Sequence, residues 1–206
     1  MNPKLMIDAP ELFHIRASYT DDTIRVYQAY SDLIGKSALA ANRFVSPPFK
    51  MDRMTWIKPS FLWMMYRAGW GLKDSGQNVI LAIDIKREGF EWALAHACLS
   101  RADDGMPHET WQRLKDSAPV RIQWDPERDL LLRPQASRSI QIGLSKDAVA
   151  RYVNDWIVGI SDITPLAQQI HGLIEANDLP GAKALLPLER VYQPQTSIGM
   201  ALAATA

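Results

Sequence analysis

The sequence predicts one α+β domain with a mixed β-sheet, a buried central helix and a C-terminal helical layer. Three observations support this fold class. Short apolar segments typical of strands, such as "NVILAIDI", alternate with segments of helical periodicity. The segment "PSFLWMMYRA" is apolar on every side of a helix, as in a helix that is buried all round. Beyond residue 145, apolar residues recur at helical spacing.

Composition limits the kind of protein this can be. The chain has 206 residues, of which 47% are hydrophobic and 22% are charged, as in an ordinary soluble globular protein. Lysine and arginine number 23, as do aspartate and glutamate, so the overall charge does not favour nucleic acid or an anionic membrane as a partner. The single cysteine, Cys98, excludes a disulfide within the chain and fits a reducing compartment.

The sequence also predicts where the protein resides and how far the domain extends. No apolar run approaches the ~20 residues that span a bilayer, and "MNPKLMIDAPELF" lacks the hydrophobic region of a cleavable signal. We therefore expect a cytoplasmic monomer or small homo-oligomer with no membrane partner. We expect a single domain over residues 1–195 and a flexible tail over 196–206, because "SIGMALAATA" is small and weakly patterned.

The first third of the chain predicts a strand, a helix and a second strand. "FHIRASY" is a short strand. Thr20, followed by Asp21 and Asp22, predicts the start of a helix that runs to about Ala41. The hydroxyl can cap free amides, and the carboxylates favour the positive end of the helix dipole. "RMTWI" then predicts a strand.

The central helix begins at Pro59, whose fixed φ is already helical, and extends to about Ala68. Gly69 is a plausible C-terminal cap. Because no face of this helix is polar, we expect most of its surface to be buried. The following strand, "NVILAIDI", is near-continuously apolar and should be covered on both faces.

The rest of the chain predicts a helix, two strands and a helical layer. "GFEWALAHACL" is the helix, and "VRIQW" and "SIQIGL" are the strands. Ser145 then caps a helix with one apolar stripe toward the core. The stripe consists of Val149, Val153, Trp156 and Ile160. Thr164 and Pro165 begin a second helix, and "NDLPGAKALLP" predicts a turn and a short third helix.

Positive charge is concentrated between Arg43 and Lys73, where six cations face Asp52 alone. Arg53 and Arg67 adjoin a strand and a helix that we expect to be buried, and a guanidinium placed there needs an anion. The anion could be an internal carboxylate or the phosphate of a ligand. The predicted substrate-binding residues are Arg53, Trp56, Lys58, Arg67 and Trp70.

The segment "QWDPERD" supplies three acids, Asp125, Glu127 and Asp129, at the end of a predicted strand. These acids could pair internally with the arginines. Alternatively, Glu127 could be a catalytic residue that acts as a base or orients a ribose hydroxyl. Such a cluster is more commonly a loop ion pair than a Mg²⁺ site, and the histidines lack zinc-ligand spacing, so we predict no metal.

Several segments resemble the domain-of-unknown-function family numbered 4291. They are "TIRVYQAY", "RMTWIKPSFLWMMYRAGW", "VILAIDI", "REGFEWAL", "QWDPERD" and "RSIQIGL". The likeness runs from about Arg16 to Pro187, and the block "RMTWIKPSFLWMMYR" is highly specific. The resemblance implies a single domain and no particular activity.

Two classes of function fit the predicted site. The first is an enzyme that binds a nucleotide or phosphorylated substrate, with Arg53, Lys58 and Arg67 on phosphate, Trp56 or Trp70 on a base, and Glu127 as the catalytic group. The order of strand, proline-opened helix, Gly-Trp and apolar strand is similar in layout to ADP-ribosyl transferases and RNA phosphotransferases, without their signature triad. That analogy makes NAD a candidate cofactor.

The second class is a non-catalytic module that binds RNA or single-stranded DNA by charge and stacking. A closed pocket in which Glu127 faces Arg53 or Arg67 favours the enzyme, whereas an open basic groove lined by tryptophan favours the module. A third interpretation is that all of these residues serve packing and internal ion pairing.

Overall fold

A computed structural model of the protein describes residues 13–102 and 106–195. The strands are β1 (Ile15–Ala17), β2 (Thr23–Tyr30), β3 (Thr55–Ile57), β4 (Val79–Lys86), β5 (Ala97–Leu99), β6 (Val120–Arg128), β7 (Pro134–Leu144), β8 (Ile157–Asp162) and β9 (Arg190–Tyr192). The α-helices are α1 (Asp32–Ala41), α2 (Phe61–Ala68), α3 (Arg87–Ala95), α4 (His108–Ser117), α5 (Asp147–Arg151), α6 (Thr164–Glu175) and α7 (Leu179–Ala184). A 3₁₀ turn, Gly69–Gly71, follows α2, and a π-helix, Tyr152–Trp156, follows α5. The predicted α+β class is confirmed.

Within the described residues, the strands form three sheets rather than one. β2, β4 and β8 form an antiparallel sheet with β4 in the centre. The order β3-β7-β6-β5 makes a four-stranded mixed sheet, in which β5 is parallel to β6 and the other pairs are antiparallel. β1 and β9 form a two-stranded antiparallel ribbon.

The two larger sheets meet where β2 passes the end of β3. The backbone N–H of Tyr27 donates to the carbonyl oxygen of Lys58 over 2.7 Å, and the N–H of Lys58 donates back over 3.3 Å. The side-chain amide of Gln28 donates to Thr55 Oγ1 over 2.7 Å. These contacts hold the segment after β3 between the two sheets.

Strand β4 separates two apolar clusters, because successive side chains of a strand point to opposite faces. Leu81 and Ile83 belong to the larger cluster. Ile80 and Ala82 belong to the smaller one, together with residues of α2 and α6. The prediction that this strand is covered on both faces is therefore confirmed.

The predicted central helix is α2, although it begins at Phe61 rather than at Pro59. Five of its eight residues are buried, so the prediction that most of its surface is covered is confirmed. Ser60 caps the N-terminus by accepting a 3.3 Å hydrogen bond from Trp63 N. Gly69 ends the helix in the left-handed region at φ 53°, as predicted for a C-terminal cap. The helix is not buried all round, however, because Tyr66 and Arg67 are exposed on one side.

The predicted helix from Thr20 to Ala41 is wrong in its first half, where Thr23–Tyr30 forms β2. Thr20 Oγ1 does accept from the N–H of Thr23, at 3.0 Å, but the resulting turn leads into a strand. The β-branched and aromatic residues of "TIRVYQAY" favour a strand, and that propensity outweighs the cap signal. The helix α1 begins only after Ser31.

Two further boundaries differ from the prediction. The helix in "GFEWALAHACL" ends at Ala95, and Ala97–Leu99 instead forms β5, parallel to β6. The predicted cap at Ser145 is wrong, because its hydroxyl donates to the carbonyl oxygen of Pro119 and the helix begins at Asp147. The helical stripe holds through Trp156, which is buried together with Val149 and Val153. Ile160, the last predicted member of the stripe, lies instead in β8 and pairs with Ile83.

The C-terminal helical layer consists of α6 and α7, as predicted, although β8 precedes it. Helix α4 was not predicted, because its only large apolar residues are Trp111 and Leu114, too few for a helical stripe to be recognised. The predicted tail over 196–206 lies outside the described residues.

Candidate functional site

Helix α2 and the residues just before it contribute to two cavities. The larger, about 450 Å³, is lined by the cations Lys50, Arg53, Lys58 and Arg67 together with Trp56, and is called the cationic pocket below. The smaller, about 290 Å³, is lined by Glu127, Glu189, Ser60, Arg16 and Arg128, and is called the carboxylate cavity.

The cationic pocket concentrates positive charge without an acid in its lining. Among the described residues, no Asp or Glu lines it. Arg53 and Arg67 are both exposed rather than buried, which corrects the expectation from their neighbours in the sequence. Neither forms an ion pair with any residue that the structure describes. Among the described residues, their charges are therefore uncompensated.

Lys58 is the buried cation of the pocket. It follows β3 directly, and only 7% of its surface is exposed. Its Nζ donates a 3.3 Å hydrogen bond to the carbonyl oxygen of Trp56, and within residues 13–102 and 106–195 it has no ion-pair partner. Burial lowers the pKa of Lys58 to about 7; the charge of Arg67 lowers it further, whereas Asp125 opposes the shift.

A polar network of β2 and β3 also borders the cationic pocket. The amide nitrogen of Gln28 donates to Tyr30 Oη over 2.9 Å and to Thr55 Oγ1 over 2.7 Å. Its amide oxygen accepts a 2.7 Å hydrogen bond from Tyr152 Oη. Burial raises the pKa of Tyr30 to about 12, so this hydroxyl stays protonated at neutral pH. The network fixes one wall of the pocket.

Trp56 owes its position to a glycine on the neighbouring strand. Trp56 lies opposite Gly143 in the β3–β7 register. A Cβ atom at Gly143 would lie 3.0 Å from carbon atoms of the indole ring and 2.9 Å from Met54 Sδ. The indole ring of Trp56 therefore occupies the space that the Cβ atom of any residue other than glycine would need at position 143.

The carboxylate cavity is built around Glu127 and the start of α2. Glu127 lies at an irregularity in the β6–β7 pairing, and 7% of its surface is exposed. Its Oε1 accepts 2.9 Å hydrogen bonds from Ser60 Oγ and from the N–H of Arg128. Its Oε2 is buried and has no hydrogen-bond partner among the described residues. One carboxylate oxygen of the cavity therefore lacks a donor.

Glu189 is the second carboxylate of this cavity. Its Oε1 accepts a 2.7 Å hydrogen bond from the N–H of Phe61, and its Oε2 lies 3.9 Å from Arg16 Nε. Burial raises the pKa of Glu189 to about 7, and the nearby charge of Glu127 contributes to the rise. This carboxyl group can therefore gain or lose a proton near neutral pH.

A family model described as a domain of unknown function, DUF4291, matches residues 14–192. The chain belongs to the DUF4291 family. This confirms the resemblance that was predicted from the sequence blocks. No curated protein matches the chain. The match contains every described residue that lines the cationic pocket and the carboxylate cavity, so both belong to the DUF4291 domain.

The DUF4291 domain brings four of the predicted site residues together and separates two. Arg53, Trp56, Lys58 and Arg67 all line the cationic pocket. Glu127 instead lines the carboxylate cavity, because Ser60 holds it at the opposite end of α2 from Arg67. The criterion from the sequence that favours an enzyme, a pocket in which Glu127 faces Arg53 or Arg67, is therefore not met, because Glu127 does not line the pocket of the cations.

Trp70 is also outside the cationic pocket. It is 4% exposed and belongs to the smaller apolar cluster, where its ring stacks on His171 at 5.6 Å between centroids. Its φ of 58° is in the left-handed region, so the turn after Gly69 directs this side chain into the core. Sequence spacing alone could not distinguish this tryptophan from Trp56.

Two contributors to the cavities were not selected from the sequence. Lys50 was visible within the run of cations, but it lies in a loop whose path brings it to the pocket only in three dimensions. Glu189 is 128 residues from its hydrogen-bond partner Phe61, and no local pattern connects them. Among the described residues, no group of three His, Cys, Asp or Glu side chains could hold a metal ion.

The α-helices of the described residues are 5 to 12 residues long. Within the described ranges, none combines the length and hydropathy that a transmembrane helix requires.

Proposed function

We propose that the cationic pocket binds the phosphate groups of a nucleotide or another phosphorylated small molecule, and that it is the substrate site of an enzyme. The observation that carries this proposal is the lining of one cavity by Lys50, Arg53, Lys58 and Arg67, with no acid among its described lining residues. Guanidinium and ammonium groups are the donors that proteins use for phosphate.

The burial of Lys58 supports a ligand rather than a purely structural role. A lysine without a counter-ion in a buried position opposes folding. Its pKa of about 7 reflects that cost. A bound phosphate would supply the missing counter-charge and favour the protonated amine. The site is therefore stabilised by the ligand that it binds.

Size and aromatic content support a ligand larger than phosphate itself. The volume of about 450 Å³ lies within the usual range of small-molecule sites. Trp56 is partly exposed and lines the same pocket, so it is available to stack on a base. A nucleotide offers both a phosphate for the cations and a ring for Trp56.

The proposed enzymatic role rests on Lys58 as a proton carrier. The pKa of Lys58 is about 7 in the protein without ligand, and a bound phosphate raises it, so Lys58 enters the reaction protonated and can act as a general acid. In addition, the pocket borders the junction of two sheets, which is similar in layout to the split sheet in which ADP-ribosyl transferases bind NAD. NAD is therefore the first nucleotide to test.

The test measures ligand binding and stability in the same variants. Wild-type protein is titrated with NAD, ADP, pyrophosphate and a short single-stranded RNA by calorimetry, and each ligand is also added during thermal melting. Arg53→Ala and Arg67→Ala should melt near the wild-type temperature, because neither side chain has an internal ion-pair partner among the described residues. Each should bind the phosphate ligand about tenfold or more weakly.

The control is Arg43→Ala, because Arg43 is exposed and lies outside the pocket. Arg43→Ala should change neither the melting temperature nor the affinity for the phosphate ligand. Severe unfolding of both pocket variants would contradict the proposal. Binding of RNA without binding of any small phosphate ligand would contradict it as well, and would instead indicate the nucleic-acid module. Turnover of NAD is assayed separately by release of nicotinamide.

A further inference from the structure

We infer that the carboxylate cavity is a second binding site, for a neutral polyhydroxyl group of the sugar class. The inference does not depend on the cationic pocket, because it uses different residues at the other end of α2. Its starting point is a pair of buried polar atoms that lack partners.

Glu127 Oε2 and Arg128 Nε are both buried, and neither has a hydrogen-bond partner among the described residues. Both residues line the same cavity, although the Arg128 guanidinium also stacks on the ring of Tyr66, 3.6 Å from its centroid, and donates to the carbonyl oxygen of Leu132. Leaving a buried acceptor and a buried donor unsatisfied is costly, and charged groups cost the most. A ligand that satisfies both atoms therefore gains more than one that satisfies a single atom.

The mixture of donor and acceptor selects the chemistry of the ligand. A hydroxyl group donates one hydrogen bond and also accepts, so adjacent hydroxyls can serve Glu127 and Arg128 together. An ammonium or guanidinium group could satisfy only Glu127, because it has no acceptor. A phosphate can accept from Arg128, but its negative charge would face the carboxylates of Glu127 and Glu189.

The balance of charge around the cavity also favours a neutral ligand. Arg16 lies 3.9 Å from Glu189, and the third acid of the lining, Asp129, is paired with Arg133 at 2.7 Å. The charges of these side chains are thus offset within the protein. This differs from the cationic pocket, in which the cations are uncompensated by the described residues.

The remaining lining is suited to a sugar. Gln135 and Ser137 come from β7 opposite the irregularity at Glu127, where the pairing skips from Pro126–Arg138 to Arg128–Pro134. Bulges of this kind commonly redirect side chains beside functional sites. Phe61, Leu62 and Leu186 supply an apolar wall for the C–H face of a sugar ring.

The test uses D-ribose and D-glucose as probes in ligand-observed saturation-transfer NMR, up to tens of millimolar. The variant is Glu127→Gln, which keeps the Oε1 acceptor for Ser60 and Arg128 but replaces the unpartnered oxygen with an amide donor. The variant should melt near the wild-type temperature and bind the sugar about tenfold or more weakly. Glu175→Gln is the matched control, because that side chain is 70% exposed on α6.

Binding of a sugar by wild type and by Glu175→Gln, with loss in Glu127→Gln, supports the inference. Agmatine and inorganic phosphate are titrated alongside. Binding of agmatine without either sugar would overturn the inference in favour of a cation site, and binding of neither sugar would overturn it in favour of bound water on these atoms. Because the sugar probes carry no phosphate, their failure would leave the proposed function of the cationic pocket intact.

Discussion

The backbone of Lys58 is hydrogen-bonded in both directions to that of Tyr27, with N–O distances of 2.7 and 3.3 Å. This bridge joins the two larger sheets and fixes a buried amine at the edge of the cationic pocket. A lysine in such a position destabilises the folded protein. The proposed phosphate ligand accounts for a residue that packing alone does not explain.

The pH dependence of anion binding follows from the same lysine. The pKa of Lys58 is about 7 in the folded protein, so its amine is protonated below pH 7 and neutral above it. Sulfate is a suitable probe, because its charge is constant in this range. We expect sulfate affinity to fall as the pH rises through 7, and calorimetric titrations on either side of that value would measure it. An affinity that is constant or rises with pH would contradict the expectation.

The same pKa predicts how Lys58 affects stability. Between its folded pKa of about 7 and its ordinary value of 10.5, the unfolded chain binds more protons at this residue than the folded protein does. The contribution of Lys58 to the free energy of unfolding therefore rises with pH in that window. This rise of the free energy of unfolding with pH should be absent from Lys58→Met. The contribution of Lys58 is therefore the difference between the free energies of unfolding of wild type and variant, measured at several pH values in that window.

Gly143→Ala should destabilise the protein by about 1–3 kcal/mol, because the added methyl group overlaps the ring of Trp56 and Met54 Sδ. The measurement is chemical denaturation followed by tryptophan fluorescence. Gly159→Ala in β8 is the matched control, since a Cβ there meets nothing within 4 Å. Equal stability losses in the two variants would show that the indole ring does not occupy the space beside Gly143.

Glu189→Gln should stabilise the protein more at high pH than at low pH. The pKa of Glu189 is raised to about 7 in the folded protein from its ordinary value of 4.5, so the folded protein binds the extra proton between these values. The contribution of Glu189 to stability is therefore present below pH 4.5 and is lost as the pH rises through 7. Glutamine keeps the acceptor for Phe61 N without the charge.

Melting temperatures of wild type and Glu189→Gln at pH 5 and pH 8 test this. The increase in melting temperature of Glu189→Gln over wild type should be larger at pH 8 than at pH 5. A larger difference at pH 5 would contradict the assigned direction of the pKa shift.

Trp63→Ala should cost about 3–5 kcal/mol, because Trp63 is 4% exposed in the middle of α2 and its removal leaves a cavity. Chemical denaturation measures the loss. Tyr66→Ala on the exposed side of the same helix serves as the comparison and should cost less, since 41% of Tyr66 is exposed. A loss below about 1 kcal/mol for Trp63→Ala would contradict its burial.

The sequence predicted elements correctly where local signals agreed with one another. For α2, Pro59, the apolar run from Phe61 to Tyr66 and Gly69 all indicate the same helix. For Thr23–Tyr30 the signals conflicted: Thr20 and two aspartates suggested a helix start, whereas β-branched residues favoured a strand. Pairing with the whole length of β4 decided in favour of the strand, and no local pattern contains that pairing.

In the candidate sites, too, local sequence patterns do not reveal contacts between distant parts of the chain. The cations of the cationic pocket are close in sequence, so their run of charge was visible, and four of the predicted residues line one cavity. Glu127 and Glu189 line one cavity at the start of α2 although 62 positions separate them in the sequence. The hydrogen bonds to Ser60 and Phe61 that place them arise only in the folded protein. Sequence patterning therefore identified Glu127 as a candidate but assigned it to the wrong cavity.

The most direct test of the central claim is a comparison of Lys58→Met with wild type, in which pyrophosphate binding and the free energy of unfolding are measured on the same samples at pH 6. The claim is that Lys58 serves an anionic ligand at the expense of stability. It predicts that Lys58→Met is at least as stable as wild type, because no charge is buried, and that it binds pyrophosphate about tenfold or more weakly. A variant that is less stable than wild type and binds pyrophosphate equally well would contradict the claim.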